Sequence, residues 1–396
     1  MTATVRVAWS PALLGYDFGA GHPMAPARLG MTVGLATALG VLDAPGVDVV
    51  DAGVASDDEL LTVHDADYVA AVRAASAGEP DVSRGLGTRD DPIFPGMHDA
   101  AARIVAGTRD VACAVWQGRA QHGVSVAGGM HHAMPGAASG FCVYNDAAVA
   151  IRALLADGAQ RVAYVDLDAH HGDGVERVFW DDPRVLTVSV HQSPATLFPG
   201  TGYPTETGGP GAPGTAVNLA LPERTDGARW LRAIDAVVPD VVRVFRPEVL
   251  VTQHGCDAHT LDPLSRLRVG VAAQQRAASW LHDLAHETCG GRWVALGGGG
   301  YAVAEVVPLV WTSVLALAAH APLPWSTPLP QEWRAQVEQT FGVAAPTVLG
   351  RDDDESTTDL AVRPWSSGFD PADDVDRAVM ATRAAAFPLL GIHAGY

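Results

Sequence analysis

The chain has 396 residues, 48% of them apolar, and a formal net charge of −19. That is enough apolar material for a large core. The acidity excludes nucleic-acid phosphates and anionic membrane surfaces as partners, because both need a basic face, and it would favour a cationic partner instead. Four cysteines (Cys113, Cys142, Cys256 and Cys289) are too few for a disulfide framework and read as reduced thiols. The opening MTATVRVAWSP lacks a signal-peptide core, and no apolar run is long enough to span a bilayer, so the expected compartment is the cytoplasm.

In chain order, apolar runs of strand length end abruptly in Gly, His, Asp or Tyr. Residues 124–127 run into Gly128, Gly129, Met130, His131 and His132. A helix is expected over 146–155, followed by a strand over 162–165 whose uninterrupted apolar text suits burial on both faces. Beyond it Asp166, Asp168 and His170 alternate with Leu167 and Ala169, so three ionisable side chains point the same way from an extended chain. Residues 185–190 lead into His191. A helix over 230–245 precedes a strand over 249–252 that runs into Gln253, His254, Gly255, Cys256 and Asp257. A helix over 272–287 then precedes a strand over 293–296, which ends in four glycines and Tyr301. Strand–helix alternation predicts an α/β fold: one open, mostly parallel sheet with helices on both faces, and a site beyond the carboxyl ends of the strands. After about residue 320 the text turns Pro-rich and acidic. Residues 321–396 read as an extension packed on a 1–320 core, with helical patches at 332–341 and 375–386 and a solvated acidic loop at 352–358.

Asp168 and His170 offer two metal ligands from one segment, and Asp257, ending another strand, is the best third. Three protein ligands with an open position is the layout of a catalytic zinc. Two carboxylates and no thiolate leave ferrous iron open as well. A second motif, His282-Asp-Leu-Ala-His286, has the i, i+4 spacing of helical zinc sites, but Asp283 stands where the protease version has Glu. Its neighbours Leu281, Leu284 and Ala285 make an ordinary amphipathic helix, and the pair reads as exposed. One of the tandem His131 and His132 can act as a general base if a carboxylate orients its other nitrogen, and Asp166 and Asp173 offer one each. The Tyr301 phenol can donate to an oxyanion opposite the metal.

These residues carry a resemblance. GHPMAPARLGMT, GMHHAMPGAASGFCVYND, YVDLDAHHGDGVE, LFPGTG, QHGCDAHTLDPL and GGGGY occur in order over about the first 310 residues. They are similar to the histone deacetylase superfamily, and within it to the bacterial acetoin-utilisation (AcuC-type) deacetylases. The resemblance implies metal-dependent hydrolysis of protein N6-acetyl-lysine, releasing acetate, with Asp168, His170 and Asp257 holding zinc. It implies His132 as general base and acid oriented by Asp173, His131 as its charged helper paired with Asp166, and Tyr301 polarising the acetyl carbonyl. Gly140, Phe141, Phe198 and Leu264 fall where the family lines the lysine tunnel, and Asp90 falls at its rim, with Asp91 adjacent. Arg28 matches an arginine of an internal acetate pocket, or else forms a structural ion pair. An inner K⁺ or Na⁺ site would use Asp166, Asp168, His170, Ser189 and Val190. An outer one would use Phe179, Asp182 and Val185, but Thr215 stands where its completing aromatic belongs. The relatives imply acetyl-CoA synthetase as a target. An acetylpolyamine amidohydrolase, a binuclear manganese ureohydrolase and a non-catalytic acetyl-lysine reader are the rival readings.

Overall fold

A computed structural model describes residues 3–350 and 360–395; the acidic stretch 352–358 lies outside the described residues. Among the described residues eight strands form one sheet: β1 Ala3–Ala8, β2 Val47–Val50, β3 Ala120–Ser125, β4 Val162–Asp166, β5 Val185–Gln192, β6 Ala216–Leu221, β7 Val249–Gln253 and β8 Trp293–Leu296. Their order is β2-β1-β3-β8-β7-β4-β5-β6, and every pairing is parallel. The expected open, parallel α/β sheet is therefore what forms.

Alternate residues of the central strands enter two different cores. Val162 and Tyr164 of β4, Val249 and Val251 of β7, and Val294 and Leu296 of β8 pack on one face with Val111, Ile151 and Leu154. Ala163, Val165, Leu250, Trp293 and Ala295 pack on the other, with Trp230, Leu281 and Trp311. A strand covered on both faces has no polar side to show, which is why β4, β7 and β8 read as unbroken apolar runs. Helices lie on both faces, Met97–Trp116 and Asp146–Ala156 supplying the first set, and Gly227–Phe245, Val271–Cys289 and Val307–Ala318 the second. Local chemistry sets their ends. The Asn145 side chain accepts from the Ala148 N–H at one start, and Gly290 closes Val271–Cys289 in the left-handed region.

Beyond residue 320, helix Gln331–Phe341 seats Trp333, whose indole N–H donates to the Met31 carbonyl at 3.0 Å. Helix Asp374–Ala386 is tied to Gly227–Phe245 by Arg232, which donates to both oxygens of Asp376 at 2.7 and 2.8 Å, both groups buried. No helix among the described residues is long and apolar enough to cross a membrane, and all four cysteines are free thiols.

Candidate active site

The four central strands, β3, β8, β7 and β4, lie side by side, so the residues just past their carboxyl ends converge. From these ends come His131 and His132, Tyr301, Asp257, and the pair Asp168 and His170. Asp168, His170 and Asp257 each bring a ligand atom within 4.8 Å of the other two, and all three are buried. His170 Nδ1 lies 3.1 Å from Asp168 Oδ1 and 2.8 Å from Asp257 Oδ2. The remaining carboxylate oxygens are already engaged. Asp168 Oδ2 accepts from the Gln253 amide and the Gly299 N–H, both at 2.8 Å, and Asp257 Oδ1 accepts from the Ala169 N–H at 2.8 Å.

This donor set fits a divalent ion. One imidazole nitrogen faces two buried carboxylates, and a single proton cannot serve both. Burial and the Asp168 charge push Asp257 up to about 8, whereas an ion at the centre would hold both carboxylates ionised. The backbone comes equally close: a Cβ at Gly299 would overlap carboxylate oxygens of both aspartates. The glycine run before Tyr301 therefore has a steric reason.

The tandem histidines differ sharply. His131 Nδ1–H donates to Asp166 Oδ2 at 2.8 Å, and that oxygen also accepts from the Tyr164 hydroxyl. His132 Nδ1–H donates to Asp173 Oδ1 at 2.6 Å, which leaves its Nε2 as a lone pair. Burial alone would lower His131, but the Asp166 and Asp168 charges outweigh it and raise the group to about 9. His132 falls to about 4, first through burial and then through the positive charge of His131, with ring centroids 4.0 Å apart. The surroundings thus favour the charged form of His131 and the neutral form of His132.

These groups floor a cavity of about 230 Å³. Gly140, Phe141, Phe198, Leu264 and Tyr301 line it, with Met24 and Leu197 adding apolar surface and Asp90 at its mouth. Phe198 is 46% exposed, so it sits at the rim. Asp91 turns inward instead and is pushed up to about 8, mainly by burial, so Asp90 is the rim carboxylate. Arg28 is buried, and its Nη1 donates to the carbonyls of Gly298 and Gly300 at 2.9 and 3.2 Å. Among the described residues it pairs with no carboxylate, so the ion-pair alternative does not form. Its Nε finds no partner. Register pairing sets Asp166 beside Ser189, with Asp168 and His170 just beyond β4 and Val190 next on β5, so the inner-cation residues are neighbours. At the outer set, Arg152 and Arg184 hold the Asp182 carboxylate, and the Thr215 hydroxyl is committed to the Ala212 carbonyl.

Several supporting residues escaped the sequence reading. Buried Asp146 accepts from the N–H groups of Gly129 and Met130 and from the Thr108 hydroxyl, and so holds the loop that carries the histidines. Gln253 fixes Asp168, and Asp262 accepts from the N–H groups of Tyr301 and Leu264. Their signal was a polar residue within the matched text but without a role of its own, in VYND, TQHG and TLDPL. The His282–His286 pair departs from the expected exposure. His282 and His286 are not simply exposed: the His282 side chain is only 11% accessible, and both pack against His122 and His320. Helical periodicity gave no hint of the strand facing them.

A parallel α/β sheet with an Asp–His–Asp cluster beneath two histidine–aspartate pairs defines a deacetylase-type centre, and the chain belongs to the histone deacetylase family. Residues 22–318 match the histone deacetylase domain. The acetoin utilization protein AcuC of Bacillus subtilis (strain 168) is 40% identical over 344 residues, covering 86% of this chain and 88% of that protein. AcuC of Staphylococcus xylosus is 35% identical over 88% of this chain and 90% of its own length. Among solved structures, an HDAC homologue complexed with SAHA superposes with a TM-score of 0.79 at 26% identity, covering 96% of this chain and all of that one. The HD domain of HDA15 gives 0.72 at 26%, over 86% and 95%.

Proposed function

We propose that the chain hydrolyses the side-chain amide of N6-acetyl-lysine in proteins, releasing acetate. The observation that carries this reading is the hydrogen-bonded His132–Asp173 pair standing beside the Asp168–His170–Asp257 cluster, with His132, Asp168 and His170 lining an apolar shaft. Those three residues would hold the ion, zinc in the first instance, with ferrous iron also suited to two carboxylates and one imidazole. When bound, the ion supplies Lewis acidity to a carbonyl oxygen and to a water molecule.

The chain's own residues do the rest. His132 Nε2 takes the proton of the attacking water and returns it to the departing lysine amine. His131, kept charged by Asp166, discourages His132 from protonating early. Burial holds the Tyr301 phenol protonated, so it donates to the carbonyl oxygen as negative charge develops there. Phe141, Phe198 and Leu264 enclose the lysine methylenes, and Asp90 accepts from the substrate backbone at the mouth. Arg28 would receive acetate, a role that its unpartnered buried N–H supports. A monovalent cation, K⁺ or Na⁺, would sit beside Asp166 and Ser189. Acetyl-CoA synthetase carrying an acetyl-lysine is our proposed target, met in the cytoplasm.

The test is acetate release from acetyl-lysine peptides and from N-acetylspermidine, using protein loaded with zinc and, separately, with ferrous iron. Turnover of the peptides with either metal is expected. Exclusive turnover of the polyamine would replace the substrate assignment, and no acetate from any substrate would remove the enzyme reading.

A further inference from the structure

At the opposite, amino-terminal end of the sheet lies a second cluster with no part in the chemistry above. His122 projects from β3, His282 and His286 share a face of helix Val271–Cys289, and His320 lies in the turn after helix Val307–Ala318, held there with φ 55°. One nitrogen from each lies within 4.8 Å of the others. The six ring-to-ring distances all fall between 4.5 and 5.5 Å. Four imidazoles around a tetrahedral ion, with metal–nitrogen bonds of about 2.0–2.1 Å, would set their ring centres roughly 5 Å apart. His122 Nε2 and His286 Nε2 stand 3.2 Å apart, close to the ~3.3 Å separating two nitrogens on such an ion.

We propose that His122, His282, His286 and His320 form a second metal site that binds a late first-row transition ion such as zinc. The far nitrogens support this. His122 Nδ1–H donates to the Ala318 carbonyl at 2.7 Å, which turns the lone pair of Nε2 toward the cluster. His282 Nδ1 is engaged by Asp283 at 3.2 Å, and its buried Nε2 has no hydrogen-bond partner. His320 Nε2 reaches Gln121 Oε1 at 3.3 Å, leaving Nδ1. Orientation of each ligand through its other nitrogen is how metal-binding histidines are held. A Cβ at Gly291, which has φ 81°, would press within 2.9 Å of the His286 ring, so the helix end is shaped around that side chain. A plain hydrogen-bonded cluster explains the His122–His286 contact but leaves His282 Nε2 buried and unused.

Imidazole donors alone select zinc, cobalt, nickel or copper over magnesium and calcium. Four ligands close the shell, so the ion is structural: it clamps β3, the Val271–Cys289 helix and the turn that follows the core's last long helix. The site does not depend on the deacetylase reading, and counting ions separates the two. Full-length protein dialysed against zinc and then freed of excess should hold two ions per chain. Asp257→Ala should hold one, and a His286→Gln/His320→Gln variant should also hold one. Cobalt added to the Asp257→Ala chain should give the visible spectrum of a tetrahedral all-nitrogen site, whether or not the double variant folds. Failure of the carboxyl-end site alone would leave one ion in wild type and one in Asp257→Ala. Two ions retained in the double variant, or no tetrahedral cobalt signal in Asp257→Ala, would overturn the second site.

Discussion

The two ends of one sheet present two very different groups of metal-capable side chains. At the carboxyl end the donors are two carboxylates and one imidazole, a cavity opens above them, and a neutral and a charged histidine stand alongside. At the amino end the donors are four imidazoles, one of them meeting the exposed Asp283 carboxylate. The difference teaches that donor type and access decide what a cluster can do. Three ligands under a shaft leave room for a substrate, whereas four imidazole ligands around one point leave none.

That contrast can be broken by substitution. Asp257→Ala removes a ligand at the reactive end, and acetate release should fall to background with loss of one bound ion per chain. Gly299→Ala should do the same by crowding both carboxylates. Unchanged turnover in either, measured with metal content, would detach the cluster from the chemistry. His132→Ala keeps the three ligands, so the ion should stay while turnover drops about 10²–10⁴-fold. Tyr301→Phe should cost about 10²–10³-fold with ion content unaltered, and near-normal turnover would remove the phenol from the oxyanion's environment.

Two smaller effects sharpen the contrast between structural and reactive groups. Arg232→Ala takes the buried cation from Asp376 and leaves only the half-exposed Arg363 paired with it, so it should destabilise the fold by about 1–3 kcal/mol in denaturant unfolding. A loss below 1 kcal/mol would show that the Asp374–Ala386 helix is held by other contacts. His64 is a buried imidazole of purely structural kind: it accepts from the Asn145 N–H, and burial lowers it from 6.5 to about 4. As pH falls below 6.5 the unfolded chain takes up a proton that the folded chain refuses. Stability from this group is therefore whole above 6.5 and drains away toward pH 4, by about 3 kcal/mol in all. His64→Gln should flatten that part of the stability–pH curve, and an unaltered curve would mean that His64 titrates freely in the fold.

The reactive end was largely legible in the sequence because each key residue closes an apolar run. Asp168 and His170 follow β4, Asp257 follows β7, Tyr301 follows β8, and in a parallel sheet all such ends point one way. Strand order, however, was not legible. That β3 and β8 are neighbours is a tertiary fact, and it alone brings His122 to a histidine pair more than a hundred and fifty residues later. For the same reason His282 and His286 looked like surface residues. Short strands such as β6, AVNLAL, were hidden because Asn218 breaks the apolar run; in the fold its amide donates to Glu176 and to the Glu206 carbonyl. Asp146 and Asp262 act through backbone N–H groups, and no spacing rule announces such contacts.

Deacetylation by this chain requires Asp168, His170 and Asp257 to hold one ion beneath the aromatic shaft. Anomalous diffraction at the zinc edge, from crystals of the zinc-loaded protein, tests it most directly. A strong peak is expected among these three side chains, within about 2.0–2.2 Å of their donor atoms. Crystals that show Asp257 turned aside and no peak at that point would contradict it.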